Sequence, residues 1–132
     1  MTRYLLDTNH ASAVFKRQLD INAHPKRRPD DQFGFSLPSI GELWFMVFNS
    51  GRIDRNITRL REVLTDFKAW PFDDDAAIEF GHINVECRRA GRPLAGIDCQ
   101  IAAIARVNNL TLLTDDKDFT SVQGLNLDNW IR

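Results

Sequence analysis

Cysteine is scarce in this sequence, and long apolar runs are absent. Two cysteines, Cys87 and Cys99, are too few for a disulfide framework in 132 residues, and no CxxC pair indicates a zinc site. No apolar segment approaches the roughly 20 residues that span a bilayer. The N-terminus does not resemble a signal peptide, because Leu5-Leu6 is shorter than an h-region and an aspartate follows it at once. We therefore expect a cytoplasmic protein with no membrane segment.

A large charge of either sign is also absent. The formal net charge is -1, from 18 acidic and 17 basic residues, which neither supports nor excludes a nucleic-acid partner. With 43% hydrophobic and 27% charged residues, the composition is that of an ordinary globular protein. The length predicts a single domain over residues 1–132.

Short strands alternate with helices along the chain. The predicted strands and extended pieces cover residues 3–6, 33–37, 70–72, 110–114 and 125–127. The predicted helices cover residues 8–17, 38–50, 54–68, 73–90 and 97–107, with Gly51 closing the second helix as its C′ residue. A polar loop, rich in proline and charge, is predicted at 22–32. This alternation is typical of an α/β fold with a short, mainly parallel central sheet flanked by helices.

Four acidic residues come from distant segments of the sequence. Asp7 and Asp116 follow predicted strands directly, and Glu42 lies one turn into a helix that follows another strand. Because parallel strands end at one edge of a sheet, we expect these three carboxylates to converge there. Asp98 begins a helix reached through a loop, so the sequence leaves its position open. Clustered carboxylates repel one another, and their oxygens suit a hard cation such as Mg²⁺ or Mn²⁺.

Each of these acids also has a purely structural explanation. Asp7 and Asp98 are suitable helix N-caps, and Asp116 is a suitable turn residue. Ser39 and Glu42 have the spacing of a capping box, in which Glu42 would return a hydrogen bond to the backbone of Ser39. The spacing alone does not decide between these explanations and a metal site.

Four segments, in order along the chain, resemble the PIN domain family. They are Tyr4–Asn9, Ser39–Leu43, Gly96–Ala105 and Leu112–Phe119. The C-terminal stretch from Phe119 to Trp130 is similar to that of the VapC-type toxins of bacterial toxin–antitoxin pairs. The resemblance implies a PIN-like α/β domain with an acidic site at the carboxyl edge of its strands. It also implies a Mg²⁺- or Mn²⁺-dependent endoribonuclease that a small cognate antitoxin holds inactive.

By the family's motifs, the acidic catalytic site consists of four carboxylates: Asp7, Glu42, Asp98 and Asp116. The metal would be held mainly by Asp7 and Asp98. Further candidate ligands are Glu42, Asp116 and Asp115. The pair of adjacent aspartates leaves the fourth ligand open, although the family's Thr-x-Asp pattern favours Asp116.

The resemblance also implies roles for polar neighbours and a reaction. Asn9 and Thr114 match supporting polar positions. Metal-activated water would cleave the RNA phosphodiester and leave 5′-phosphate and 3′-hydroxyl ends. This mechanism requires no histidine, so we interpret His10, His24 and His82 as surface or structural residues.

Three arginines precede Asp98 and are candidates for binding RNA phosphates: Arg88, Arg89 and Arg92. The alternative is a solvated helix end whose cations complement the helix dipole. The sequence does not separate these two interpretations.

Residues Leu43–Phe48 are six consecutive apolar residues on a helix, so they encircle it. One side can pack on the sheet, and we expect another side, with apolar residues of the following helix, to form a groove for an antitoxin segment. The alternative is a core helix covered on both sides. We also expect a homodimer.

Two other functions remain possible from the residues alone. The first is a non-catalytic PIN-like RNA- or protein-binding module whose acids serve only as caps. The second is a phosphatase that forms an aspartyl-phosphate. Such an enzyme needs a second aspartate two residues after the nucleophile, where this chain has Asn9.

Overall fold

The computed structural model describes residues 1–131 as an α/β fold of five strands and five α-helices. The strands are β1 (Arg3–Leu6), β2 (Gln32–Ser36), β3 (Lys68–Trp70), β4 (Thr111–Leu113) and β5 (Asn126–Asp128). The α-helices are α1 (Thr8–Phe15), α2 (Leu37–Phe48), α3 (Ile53–Leu64), α4 (Asp74–Arg89) and α5 (Gly96–Val107). A short 3-10 helix covers Lys117–Ser121. The predicted fold class is confirmed.

All five strands form one sheet, in the order β3-β2-β1-β4-β5, and every neighbouring pair is parallel. The chain starts at the central strand β1, builds one side with β2 and β3, and then builds the other side with β4 and β5. The strand order therefore reverses between β1 and β4. Such a switch point opens a crevice outside the carboxyl ends of the two strands.

Helices cover both faces of the sheet, as a parallel sheet requires. Leu5 of β1 and Leu112 of β4 belong to one core cluster, which packs against α4 and α5. Their neighbours Leu6 and Leu113 point the opposite way, into a second cluster with α1, α2 and α3. This alternation of side chains along each strand buries β1 and β4 on both faces of the sheet.

Several predicted boundaries differ from the structure by one or two residues. The helix predicted over 8–17 ends at Phe15, because Lys16 caps it and Arg17 adopts a left-handed φ of 60°. Gln32, predicted in the polar loop, is the first residue of β2, and Leu37, predicted in a strand, begins α2. Shifts of this size are expected where helix and strand ends fray.

The predicted end of the third helix was wrong. The helix stops at Leu64, and Lys68–Trp70 forms β3, which pairs with β2. A Cβ at Gly34 of β2 would lie 2.7 Å from the Lys68 carbonyl oxygen and 2.7 Å from Trp70 Nε1. The glycine thus admits β3 and the Trp70 ring, a tertiary requirement that the local pattern of residues 54–68 does not contain.

The predicted role of Gly51 was also wrong. Asn49 caps α2, with its backbone N–H donating to the Phe45 carbonyl at 3.0 Å. Gly51 is not among the described residues with positive φ, so it does not act as the left-handed C′ residue.

Both cysteines are buried free thiols. None of the helices within residues 1–131 is long and apolar enough to cross a membrane.

Candidate active site

Asp7 lies at the switch point, directly after β1. Its backbone N–H donates to the Leu113 carbonyl oxygen at 2.9 Å, which ties the end of β1 to the end of β4. Its carboxylate caps α1 by accepting from the Thr8 backbone N–H at 2.6 Å, and it also accepts from Thr114 Oγ1 at 2.7 Å. The predicted N-cap is therefore present. Each bond uses a different carboxylate oxygen, so both oxygens retain a lone pair for another ligand.

Glu42 reaches the same region from α2, and the predicted capping box is wrong. Ser36 is the N-cap of α2, and its Oγ accepts from the Ser39 backbone N–H at 3.1 Å. Glu42 does not return a bond to Ser39. Instead, Glu42 Oε1 accepts a hydrogen bond of 2.6 Å from Thr8 Oγ1. The carboxylate is thus held toward α1 and the residue that follows Asp7.

Asp98 is not an N-cap, so that structural explanation was wrong. Ala95 occupies the cap position of α5, and Asp98 lies in the first turn of the helix. The pKa of its carboxyl is raised to about 6, chiefly by burial and also by the negative charges of Asp7, Asp116, Glu42 and Asp118. The position that the sequence left open is therefore beside the other three carboxylates.

Asp116 and Asp115 have different neighbours. The Asp116 backbone N–H donates to Thr114 Oγ1 at 3.0 Å, and its carboxylate accepts from the Asp118 backbone N–H at 2.9 Å as the cap of the 3-10 helix. Asp115 accepts from Asn9 Nδ2 at 3.1 Å. The charge of Asp116 acts on both Asp7 and Asp98, whereas that of Asp115 acts on His10.

Burial is the largest cause that raises the pKa of Asp7, and the charges of Asp116 and Glu42 add to it. The hydrogen bonds from Thr114 and Thr8 oppose this shift. Four carboxylates from four segments therefore act on one another electrostatically. The groups that shift the pKa values of Asp7 and Asp98 include no basic side chain. Such a cluster favours the binding of a positive charge.

The donor set fits a hard cation, because it consists of carboxylate oxygens. Within residues 1–131, no three His, Cys, Asp or Glu side chains already stand close enough to hold one ion. Asp7, Glu42 and Asp116 are each held by hydrogen bonds of their own. Coordination of one ion would therefore require these side chains to rotate.

Sequence reasoning missed three neighbours of the site. Thr8 donates to Glu42, Ser39 Oγ lies 3.1 Å from Thr8 Oγ1, and the charge of Asp118 acts on Asp98. Thr8 directly follows Asp7, and Ser39 lies three residues before Glu42 on the same helical face. The spacing of Ser39 and Glu42 was interpreted as a capping box. Instead, it places both side chains in hydrogen-bonding distance of the Thr8 hydroxyl.

His10 lies inside the protein rather than at the site's surface. It is fully buried, and its Nε2 accepts from the Trp130 backbone N–H at 3.0 Å. Burial lowers its pKa to about 4, so the ring is neutral at neutral pH. The contact attaches the C-terminal segment to α1, in agreement with a structural role.

The three predicted phosphate-binding arginines lie at the C-terminal end of α4 and in the loop that follows it. Arg88 and Arg89 are exposed in the last turn of α4, and Arg92 is exposed in the loop that leads to α5. No hydrogen bond or ion pair joins their side chains to the four carboxylates in the described part of the chain. Their role in RNA binding stays a prediction.

A concavity of about 580 Å³ adjoins Glu42 and is lined by Phe45, Met46 and Ile97. A larger cavity of about 870 Å³ lies at the opposite, amino edge of the sheet, beside Phe33 and Lys68. The volume of a cavity therefore does not indicate the candidate site. The cluster of carboxylates indicates it instead.

Helix α2 has one buried and one exposed side. Leu43 and Val47 are buried, whereas Phe45 is 71% exposed and Phe48 is 58% exposed. The helix is therefore not covered on both sides. A concavity beside Phe45 is lined by α1 and Ile97. The predicted groove between α2 and the following helix stays a prediction.

Comparison with known proteins identifies the family to which this chain belongs. The model of the PIN domain family matches residues 4–125. The chain belongs to the PIN domain family. It is 29% identical to the ribonuclease VapC2 of Haemophilus influenzae, with 99% of this chain and 100% of that protein aligned. It is 26% identical to the tRNA(fMet)-specific endonuclease VapC of Shigella flexneri, over 98% of this chain and 99% of that protein.

A solved structure has the same fold. It is VapBC-5 of Mycobacterium tuberculosis, a member of the VapBC family of toxin-antitoxin systems. The superposition has a TM-score of 0.72 at 26% identity and covers 98% of both chains. The similarity extends over nearly the whole chain, including all four segments that carry the acids.

Proposed function

We propose that this PIN domain is an endoribonuclease and the toxin of a toxin–antitoxin pair. The observation that carries the proposal is the convergence of carboxylates at the switch point: Glu42 is hydrogen-bonded to Thr8, the residue after Asp7, and the charges of Asp7, Glu42 and Asp116 all act on Asp98. Relatives that align with this chain over nearly their whole length are named as a ribonuclease and an endonuclease, which supports the reaction class. We propose a cytoplasmic location, in keeping with the proposed RNA substrate.

We propose Mg²⁺ or Mn²⁺ as the cofactor, held by Asp7 and Asp98 with Glu42 and Asp116 as further ligands. When bound, the ion would neutralise phosphate charge and make a water molecule more acidic. The proposal of Asp116 rather than Asp115 is supported by its charge acting on both Asp7 and Asp98.

The chain's own residues would orient the reacting groups. Thr114 holds Asp7, Thr8 holds Glu42, and each hydroxyl directs the carboxylate to which it donates. Glu42 or Asp116 would accept the proton of the attacking water, as a general base does. In-line attack then breaks the bond to the 3′-oxygen and leaves 5′-phosphate and 3′-hydroxyl ends.

Incubation of the protein with total RNA under Mg²⁺, Mn²⁺ or EDTA tests this function directly. Initiator tRNA belongs in the pool, because the name of one relative specifies tRNA(fMet). We expect cleavage with either cation, none in EDTA, and 5′-phosphate ends. Asp7→Asn should abolish cleavage while the fold persists, because asparagine can still cap α1.

The alternatives predict different outcomes. A non-catalytic module would bind RNA and leave it intact under every divalent cation. A phosphatase would release inorganic phosphate from small phosphoesters. Products with 2′,3′-cyclic phosphate ends would exclude the mechanism that uses water as the nucleophile.

We propose that the exposed side of α2 binds the antitoxin, since the concavity beside Phe45 adjoins Glu42. Phe45→Ser should weaken the complex by about tenfold or more, because a buried aromatic anchor is removed from an interface. Titration calorimetry measures the affinity. An unchanged affinity, with an unchanged melting temperature, would place the antitoxin elsewhere.

A further inference from the structure

A further concavity adjoins the carboxylates on the β5 side of the sheet edge. It has a volume of about 320 Å³, which is at the lower end of the range for ligand sites in proteins. Thr114 and Asp116 belong to its lining, so it borders the candidate active site directly. The reaction proposed above does not use the other polar residues of this lining, among them Lys117 and Asn129.

Lys117 brings an unpaired positive charge to this concavity. It directly follows Asp116, so the two α-carbons are about 3.8 Å apart. The residue is exposed, and its ammonium group takes part in no hydrogen bond or ion pair within residues 1–131. The folded chain therefore leaves this cation available for a ligand that reaches Asp116.

Asn129 supplies a second donor on the same lining. Its backbone N–H donates to the Asp128 carboxylate at 2.8 Å. Its side-chain oxygen accepts from the Ile131 backbone N–H at 3.0 Å, which orients the amide group. The amide nitrogen carries two hydrogens and has no acceptor in the described part of the chain. A cation and an oriented amide donor are the groups that proteins use to contact phosphate oxygens.

The polar loop of residues 22–32 compensates an acidic charge at this concavity. Asp128 also belongs to the lining, and Lys26 of the loop forms an ion pair with it at 3.1 Å. His24 of the same loop stacks on Trp130, with the ring centroids 4.5 Å apart. The loop is thus attached to the C-terminal segment at two points, and it reduces the repulsion that Asp128 would exert on an anion.

We propose that this concavity is a phosphate subsite, in which Lys117 and Asn129 bind a phosphate of the RNA strand beside the one that is cleaved. Lys117 supplies the opposite charge, and the Asn129 amide donates to a phosphate oxygen. A strand whose scissile phosphate lies at the four carboxylates passes over Lys117, because Lys117 is the next residue after Asp116. The substrate, single-stranded RNA, rests on the proposed function. The contact fixes the position of the strand and does not read its bases.

The salt dependence of binding measures a single phosphate contact. Each phosphate that a protein neutralises on a single strand contributes about 0.7 to the slope of log K against log salt. Lys117→Met should therefore reduce this slope by about 0.7 and weaken binding about fivefold at about 0.1 M salt. Lys117→Arg keeps the charge and should retain both the slope and the affinity. Neither change removes a contact within the fold, so both variants should keep the wild-type melting temperature.

The binding experiment is independent of cleavage. Fluorescence anisotropy of a labelled decauridylate, in EDTA and over a series of KCl concentrations, gives the slope for each protein. Every protein in the series carries Asp7→Asn, so neither strand cleavage nor a bound ion enters the result. Lys16→Met is the matched control, because Lys16 is an exposed lysine at the opposite end of α1 from Asp7. It should leave the slope unchanged.

Asn129→Asp tests the second donor. Aspartate retains an oxygen that can accept from Ile131, and it replaces the amide donor by a negative charge. Binding of decauridylate should weaken by on the order of tenfold, because a charge of the same sign now faces the phosphate.

Lys26→Met tests the compensation of Asp128. The single change should weaken binding, because the charge of Asp128 then acts on the phosphate. Adding Asp128→Asn to Lys26→Met should restore most of the affinity, since the pair of changes leaves the net charge as it was.

In the active enzyme, without Asp7→Asn, the loss in Lys117→Met should appear in KM rather than in kcat, because the contact is made before and during the reaction alike. The subsite is overturned if Lys117→Met and Lys16→Met give the same salt slope, or if decauridylate does not bind at any salt concentration. Cleavage of RNA with equal slopes for these two variants would retain the proposed function and exclude the subsite. A difference in slope, with no cleavage by the wild type under Mg²⁺ or Mn²⁺, would retain the subsite and exclude the nuclease function.

Discussion

Asp98 shows at the scale of one residue how the cluster destabilises the metal-free protein. Its folded-state pKa is raised from 3.8 to about 6, so the folded state binds this proton more tightly than the unfolded state. The free energy of unfolding should therefore fall as pH rises from about 4 to 6 and stay lower above that range. The ionised carboxylate of Asp98 thus lowers the stability of the metal-free protein, and the fold does not require it. We interpret it as a ligand for the proposed cation.

We predict that Asp98→Asn raises the free energy of unfolding in EDTA at pH 7.5. The gain should be on the order of 1 kcal/mol, after discounting the shift for solvent screening at a half-buried site. It should shrink toward zero near pH 4, where the wild-type carboxyl is protonated. Urea denaturation at several pH values measures both effects.

Asp54→Asn is the control for this comparison, because Asp54 is also in the first turn of a helix but is exposed on α3. It should not flatten the pH profile. Equal profiles for Asp98→Asn and wild type would show that Asp98 does not feel the other carboxylates.

Thr8 is the residue whose role the sequence did not reveal. Its hydroxyl donates to Glu42 at 2.6 Å and lies between two of the predicted catalytic acids. Thr8→Val keeps the shape and removes the donor, so we predict a loss of about 10- to 100-fold in kcat, as for other residues that orient ligands. Thr8→Ser retains the hydroxyl and should keep most of the activity. A valine variant as active as the serine variant would exclude this role.

At the scale of elements, strand β3 depends on one glycine of its neighbour. Gly34 faces the Lys68 carbonyl and the Trp70 ring, and Lys68 is its register partner across β2 and β3. We predict that Gly34→Ala lowers the free energy of unfolding by about 1–3 kcal/mol, because the added carbon forces the strands or the ring to move. Chemical denaturation measures the loss.

Gly41→Ala is the matched control, because a Cβ at Gly41 would meet no atom within 4 Å and the residue lies inside α2. That change should be neutral or stabilising, since alanine favours the helix. If both alanine variants are equally stable, β3 does not require the close approach at Gly34.

At the scale of the whole molecule, a bound cation should join segments that the chain keeps far apart. Asp7, Glu42, Asp98 and Asp116 lie on separate elements, so an ion held by them stabilises only the folded state. We predict that saturating Mn²⁺ raises the free energy of unfolding, by about 2.7 kcal/mol at a concentration 100 times the Kd. Protons compete for the same oxygens, so the gain should be smaller at pH 5 than at pH 7.5.

Thermal denaturation with and without EDTA measures this stabilisation. Asp7→Asn and Asp98→Asn should each remove most of it, and Asp54→Asn should retain it. Stabilisation that persists in both site variants would place the ion elsewhere in the protein.

The sequence by itself determined the fold class and predicted most of the candidate site. Alternating short strands and helices predict a parallel sheet, because each element's apolar spacing is local information. Asp7 and Asp116 could be placed at one edge since each directly follows a strand, and parallel strands share their carboxyl edge. The four motifs in order were sufficient to recognise the family.

Only the tertiary structure decided the rest. Strand β3 forms because Gly34 leaves room for it to pair with β2. The sequence of residues 68–70 alone does not indicate this pairing. Asp98 lies beside Asp7 because α5 packs against β1 and β4. The sequence could not predict this position, because the path of the loop before Asp98 depends on that packing. Glu42 bonds Thr8 instead of its own helix because α1 and α2 meet at the sheet edge. Contacts between segments distant along the chain depend on packing, which local residue patterns do not encode.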